Sequence, residues 1–132
     1  MRKRNTGFLL VLMVIACSQV LAHHSFAMFE QKKRVTLKGT VSEFQWTNPH
    51  AFIHLLVPNG TGADSWQVEL NSPNNLKRQG WKSTSLKPGD VVTLVLNPLR
   101  DGTLGGLFVS VTLADGTVLG EPNRGPINVP EP

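Results

Sequence analysis

Alternating apolar and polar positions predict a β-rich chain. Residues 35–42 alternate in this way, which is typical of a strand with one buried side. After Val41 the apolar positions shift by one, to Phe44 and Trp46. A shift of phase inside a long strand predicts a β-bulge, which bends the strand so that it can join two sheets.

The next two strands follow from the same pattern. Residues 50–57 and 65–71 both alternate, and they are separated by a Pro-, Asn- and Gly-rich turn. In the second strand, Phe52 lies on the side opposite Ile53. In the third strand, Glu69 points outward. Both strands are therefore expected to have a core side and a solvent side.

A short helix and the remaining strands complete the predicted elements. Ser72 followed by Pro73 is typical of a helix N-cap and first helical position, and Gly80 is typical of the residue just after a helix. We therefore predict a helix over residues 73–79. Further strands are predicted at residues 91–96, 106–113 and 117–119. In the fifth strand the residues expected on one face are Leu107, Val109, Val111 and Leu113.

The order of these elements predicts an all-β fold. A bulged first strand, and a short helix between strands 3 and 4, are what a small five-stranded OB-like barrel requires. The alternative is a small β-sandwich, in which such a helix would be unusual. The fold by itself implies no particular activity.

The N-terminus has the features of a secretory signal peptide. Residues 1–4 are basic, residues 8–16 are an unbroken apolar run, and residues 20–22 are a small-residue cleavage signal. The apolar run is much shorter than the roughly 20 residues that cross a bilayer. We expect cleavage after Ala22, a periplasmic protein, and no transmembrane span in the mature form.

A second processing site is the alternative. Residues 14–17 resemble a bacterial lipobox, in which Cys17 would be lipidated and would become the first residue. The product would be a membrane-anchored envelope lipoprotein. Cleavage after Ala22 would instead remove this cysteine, the only one in the chain.

Cleavage after Ala22 also changes the charge. Residues 23–132 keep ten Lys and Arg against nine Asp and Glu, a formal charge of +1, whereas the full chain carries +4. Because nucleic-acid binding depends on many cations that neutralise phosphates, we expect no nucleic-acid partner. Residues 23–119 are predicted to form the barrel domain, and the Pro- and Gly-rich residues 120–132 a flexible tail.

Eight short stretches, taken in order, cover nearly the whole predicted mature domain. They include the double histidine after Ala22 and the sequence WTNPHA at residues 46–51. In order, they are residues 22–26, 35–41, 46–51, 66–70, 72–74, 80–81, 86–90 and 111–116. In these stretches the chain resembles the DUF6152 family, small exported bacterial proteins of uncharacterised function. The resemblance favours a mature start at His23, and it implies no established activity.

The histidines are the candidate metal ligands. After cleavage at Ala22, the α-amine and imidazole of His23 would form a chelate suited to Cu(II), which favours nitrogen ligands. His24 and His50 are the candidates to complete such a copper site. His54 is excluded as a partner of His50, because four residues along one strand separate two side chains by about 13 Å. The nearest carboxylate is expected to be Glu69.

Structural roles compete with these chemical ones. His23 and His24 could be a solvated terminus, and His50 could stabilise the turn at Asn48. We find no nucleophile elbow, phosphate loop or catalytic triad, so we name no catalytic residue and expect a non-enzymatic protein.

The expected function is that of a small binding or accessory module for an unidentified cell-envelope ligand or protein. Its ligand-binding residues are predicted at one corner of the barrel, close to the mature N-terminus. They are Trp46, Asn48, His50, Phe52 and Glu69.

Overall fold

The structure, a computed structural model, describes residues 26–121. The predicted signal peptide, Cys17, His23 and His24 lie outside this range, as does the predicted tail from residue 122 onward. Within residues 26–121, no helix is long and apolar enough to cross a membrane.

The described chain forms the predicted barrel. Its elements are the strands β1 Val35–Gln45, β2 Phe52–Asn59 and β3 Gly62–Glu69, the helix α1 Pro73–Arg78, and the strands β4 Val91–Pro98, β5 Gly105–Thr112 and β6 Val118–Gly120. Neighbouring strands are antiparallel in the order β3-β2-β1-β4-β5-β6, and a parallel pairing of β3 with β5 closes the barrel. The five-stranded OB-like prediction is confirmed, and this closure rules out the β-sandwich.

Strand β1 contains the predicted bulge. Its first half pairs with β4, its second half pairs with β2, and the register shifts between Val41 and Glu43. Gly39 lies where β1 runs so close to β2 that a Cβ atom would collide with the carbonyl oxygen of Leu56. A bulge and a glycine together let one strand bend around the barrel.

Strand β5 contains a second irregularity, which the alternation did not predict. Val95 lies opposite Ser110 but Leu96 lies opposite Phe108, so Val109 has no partner in β4. The extra residue reverses the alternation. Phe108 therefore packs against the core together with Val111. The prediction that Leu107 and Val109 share a face with Val111 and Leu113 is wrong for this reason.

Helix α1 and the residue after its end pack against the barrel core. The Ser72 side chain accepts a hydrogen bond from the backbone N–H of Asn75, and Pro73 occupies the first turn. The helix ends at Arg78, and Gly80 follows with φ +89°. Leu76 and Trp81 are buried in the core. The core cluster consists of Leu37, Val41, Ala51, Ile53, Leu55, Val68, Leu70, Leu76, Trp81, Leu86, Val92, Leu94, Leu96 and Val111.

The first described residues lie against the loop between β4 and β5, residues 99–104. Phe29 is buried and forms an isolated bridge with Leu99. The side-chain amide of the buried Asn97 donates to the carbonyl oxygens of Gln31 at 3.3 Å and Lys33 at 2.7 Å. These contacts fix where the N-terminal part of the chain meets the barrel.

Candidate functional site

The corner, residues 46–51 between β1 and β2, is tied to the end of β3. The N–H of Ala51 donates to the carbonyl oxygen of Asn71 at 3.2 Å, and the N–H of Leu70 donates to that of Ala51 at 2.8 Å. The hydroxyl of Thr47 donates to the carbonyl oxygen of His50 at 3.0 Å. The Asn48–Pro49 peptide bond is cis. His50 precedes β2, because that strand begins at Phe52 rather than at residue 50 as predicted.

His50 contacts the carboxylate that the alternation placed nearest to it. Its Nδ1 lies 3.1 Å from Oε1 of Glu69 and 3.1 Å from the carbonyl oxygen of Leu70. Both oxygens are acceptors, so the proton of a neutral imidazole lies on Nδ1 and the lone pair on Nε2. Both of these contacts are made by Nδ1, and the His50 side chain is 44% exposed. In this tautomer Nε2 is the nitrogen that can accept a hydrogen bond or bind a metal ion.

Outward-pointing side chains of β1, β2 and β3 form two rows beside this corner. Phe52 is opposite Gln45 on one side and Glu69 on the other. His54 is likewise flanked by Glu43 and Gln67. We call this surface the outer face; it comprises Glu43, Gln45, Phe52, His54, Gln67 and Glu69. On the opposite side of β2, Ile53 is completely buried, so the outer face is the solvent side of the sheet.

Hydrogen bonds connect the outer face to the corner. Nε2 of His54 lies 3.0 Å from Oε1 of Gln45. The amide nitrogen of Gln45 donates to the hydroxyl of Thr47 at 3.3 Å, and that hydroxyl donates to the carbonyl oxygen of His50. Each group in this series of hydrogen bonds has a matching donor or acceptor. The bonds therefore hold the side chains in one arrangement. Gln45 was not among the predicted site residues, although the shift of the apolar positions to Phe44 and Trp46 already indicated its outward position.

The aromatic residues in and beside the corner do not share one surface. Trp46 is half-buried and meets Phe44 edge-on, with ring centroids 5.4 Å apart. Phe44 in turn lies 5.9 Å from Trp81, and all three rings pack in or against the core. Phe52 is half-buried on the other side of the sheet. Phe52 therefore does not share a surface with Phe44 and Trp46.

The two described histidines face different neighbours. The ring of His50 contacts Glu69 on β3, whereas the ring of His54 contacts Gln45 on β1. No group of three or more His, Cys, Asp or Glu residues that could hold a metal ion occurs within residues 26–121. His23 and His24 lie outside that range, so the predicted copper site stays a prediction.

Turn carboxylates elsewhere have structural partners. Asp101 accepts hydrogen bonds from the hydroxyl and the N–H of Thr103, and Asp115 accepts one from the N–H of Thr117. These bonds lower the pKa of both carboxyls below the ordinary value of 3.8. A shallow groove lies beside Asp115 and Val91. Its lining contains none of the predicted site residues.

Comparisons with known proteins identify the family of this chain. A search of curated proteins finds no match. Among solved structures, the chain is similar to Rim1, a mitochondrial single-stranded DNA binding protein from S. cerevisiae, at 13% identity and a TM-score of 0.48, over 62% of this chain and 93% of that chain. A family model matches residues 11–109. The chain therefore belongs to DUF6152, a family of unknown function.

Proposed function

We propose that this protein is a small periplasmic binding or accessory module without enzymatic activity. Its ligand surface would consist of the corner and the adjoining outer face. The main support is the contact between His50 and Glu69, which orients two polar side chains beside the half-buried Phe52. OB barrels commonly bind ligands on the face of strands 2 and 3 and on the loop between strands 1 and 2, which is where these residues lie.

Fixed polar groups around one half-buried apolar side chain are suited to binding. An apolar contact supplies affinity, while the oriented polar groups select the ligand that matches their donors and acceptors. Groups that are already held in place lose little conformational entropy when a ligand binds. The hydrogen-bond chain from His54 through Gln45 and Thr47 provides this kind of preorganisation.

The periplasmic part of the proposal depends on cleavage after Ala22. The mass of the protein recovered from the periplasm would identify the first residue. A mass that begins at His23 supports the proposal. A lipidated species beginning at Cys17 in the membrane fraction would make the protein an anchored envelope component instead.

The ligand surface is tested by NMR with the isotope-labelled form that begins at His23. Cell-envelope extract should shift the amide signals of Asn48, His50 and Phe52, and those of Asp115 and Gly116 should stay in place. The variant Glu69→Gln keeps an acceptor oxygen and should bind more weakly. If the corner and the outer face do not respond to any extract fraction, the proposal is wrong.

A copper-binding protein is the second candidate, favoured by the orientation of His50. Metal-bound histidines usually donate their second ring N–H to a carboxylate or a carbonyl oxygen. His50 has such contacts at Nδ1, which leaves Nε2 for a metal ion. The first described residues contact the β4–β5 loop, where the N–H of Arg100 donates to the carbonyl oxygen of Met28. The same loop contacts β3, the strand that carries Glu69, because the N–H of Gln67 donates to the carbonyl oxygen of Leu104.

Titration with Cu(II) tests this candidate. The form that begins at His23 should give a tetragonal copper spectrum, which His50→Ala abolishes and His54→Ala preserves. A form with one extra residue before His23 should lose the spectrum too, because the extra residue moves the α-amine out of the chelate. No tight binding, or equal losses in the two histidine variants, would exclude the site.

A further inference from the structure

Charge is unevenly distributed along the described chain. Residues 39–76 contain three carboxylates and no Lys or Arg. The next stretch, residues 77–90, contains four Lys and Arg and a single Asp. All four of these cations are exposed. The barrel therefore has an anionic segment, made largely of β1, β2 and β3, that is followed by a cationic one.

Two of the three carboxylates lie on the outer face. Glu43 lies on β1 opposite His54 of β2, and Glu69 lies on β3 opposite Phe52 of β2. They occupy opposite corners of the two rows. With strands about 4.8 Å apart and a rise of about 3.3 Å per residue, this diagonal is about 12 Å long. The central positions between the two carboxylates are Phe52 and His54.

This spacing matches an extended cationic peptide. Side chains four residues apart in an extended segment are separated by about 13 Å, close to the diagonal between the carboxylates. A Lys or Arg between them would lie over Phe52, whose ring attracts a cation. Phosphates and sulfates are negatively charged, as Glu43 and Glu69 are. The outer face has no Lys or Arg that could neutralise them.

We propose that the outer face binds an extended Lys- or Arg-rich segment of another polypeptide. This inference rests on the proposed function, because it names the partner of the same surface. Glu43 and Glu69 pair with cations at the two ends of the segment, and Phe52 contacts the stem or the cation between them. The side chain of Gln45 donates to Thr47, so its carbonyl oxygen remains directed at the outer face and His54.

Hexalysine is a suitable probe. At low ionic strength it should shift the amide signals of Glu43, Phe52 and Glu69. The double variant Glu43→Gln/Glu69→Gln should raise the dissociation constant by about two- to fivefold for each carboxylate removed, as expected for exposed ion pairs. Added salt should weaken binding by screening these pairs.

Matched controls separate this site from nonspecific charge. The double variant Asp90→Asn/Asp115→Asn removes the same charge from the groove outside the outer face, and it should leave hexalysine binding unchanged. If this variant weakens binding as much as the glutamate variant does, or if hexalysine shifts Asp90 and Asp115 instead, the inference is wrong. A single-stranded oligothymidine that shifts the outer face would also overturn it.

The test distinguishes this inference from the proposed function. If envelope extract shifts the outer face and hexalysine does not, the partner is not cationic, although the surface itself is supported. If neither ligand shifts it, both proposals fail. Sedimentation at increasing protein concentration identifies a third outcome. If the chain self-associates and hexalysine dissociates it, the occupant is a second copy, and the inference of a different polypeptide is overturned.

Discussion

The two sides of strand β2 differ in what surrounds them. On the inner side, Ile53 and Leu55 are completely buried in the core cluster. On the outer side, Phe52 and His54 are half-buried and lie among polar side chains from β1 and β3. Neighbouring residues of one strand therefore contribute to different properties, the inner ones to stability and the outer ones to proposed binding. Substitutions that separate these properties test the comparison directly.

The largest loss of stability is expected from a substitution on the inner side of β2. Ile53→Ala removes buried methyl groups and leaves a cavity, so it should lower the free energy of unfolding by about 2–5 kcal/mol. Urea unfolding followed by tryptophan fluorescence measures this change. A loss below about 1 kcal/mol would mean that the barrel collapses around the smaller side chain and that the core is less rigid than its burial indicates.

Phe52→Ala is the matched substitution on the outer side. Phe52 is half-buried and outside the core cluster, so its loss should cost less than about 1 kcal/mol of unfolding free energy. The same variant should weaken binding of hexalysine measured by calorimetry. A destabilisation as large as that of Ile53→Ala would show that the outer side is structural, and it would remove the contrast between the two sides.

An intermediate effect is expected where a polar residue has a structural role. Ser72→Ala removes the side-chain oxygen that accepts from the N–H of Asn75 at the start of α1. The loss of such a helix cap typically costs about 1 kcal/mol. Thermal unfolding measures the cost, and Ser72→Asp, which can still accept this bond, should restore most of it. Binding at the outer face should not change in either variant.

The smallest effect concerns the turn carboxylates and depends on pH. Hydrogen bonds from Thr103 hold the pKa of Asp101 below its ordinary value of 3.8. A depressed pKa in the folded state means that the stabilisation is present above the unfolded value and is lost as the pH falls through the folded one. The stability difference between wild type and Asp101→Asn should therefore be constant near neutral pH and shrink below about pH 4. Urea unfolding between pH 3 and 6 measures it. A difference that is independent of pH would contradict this account.

Local signals in the sequence were sufficient for much of the fold. The shift of phase after Val41 predicted the bulge, and Ser72, Pro73 and Gly80 predicted the limits of α1 to within one residue. Both predictions are correct because a bulge and a helix cap each depend on a few consecutive residues. The outward position of Glu69 was also readable, because β3 is regular from Gly62 to Glu69.

Other features depended on pairing between distant residues. No residue of β4 lies opposite Val109, and this extra residue reverses the alternation of β5. The sequence of β5 alone does not reveal which residue will lack a partner. The bond between His54 and Gln45 and the inward packing of Trp46 both depend on how β1 and β2 are aligned across the corner. The sequence by itself therefore determined the elements, their order and the sides of its regular strands. Only the tertiary structure decided which side chains meet, because register and contact depend on the partner strand as well as on the strand that carries the residue.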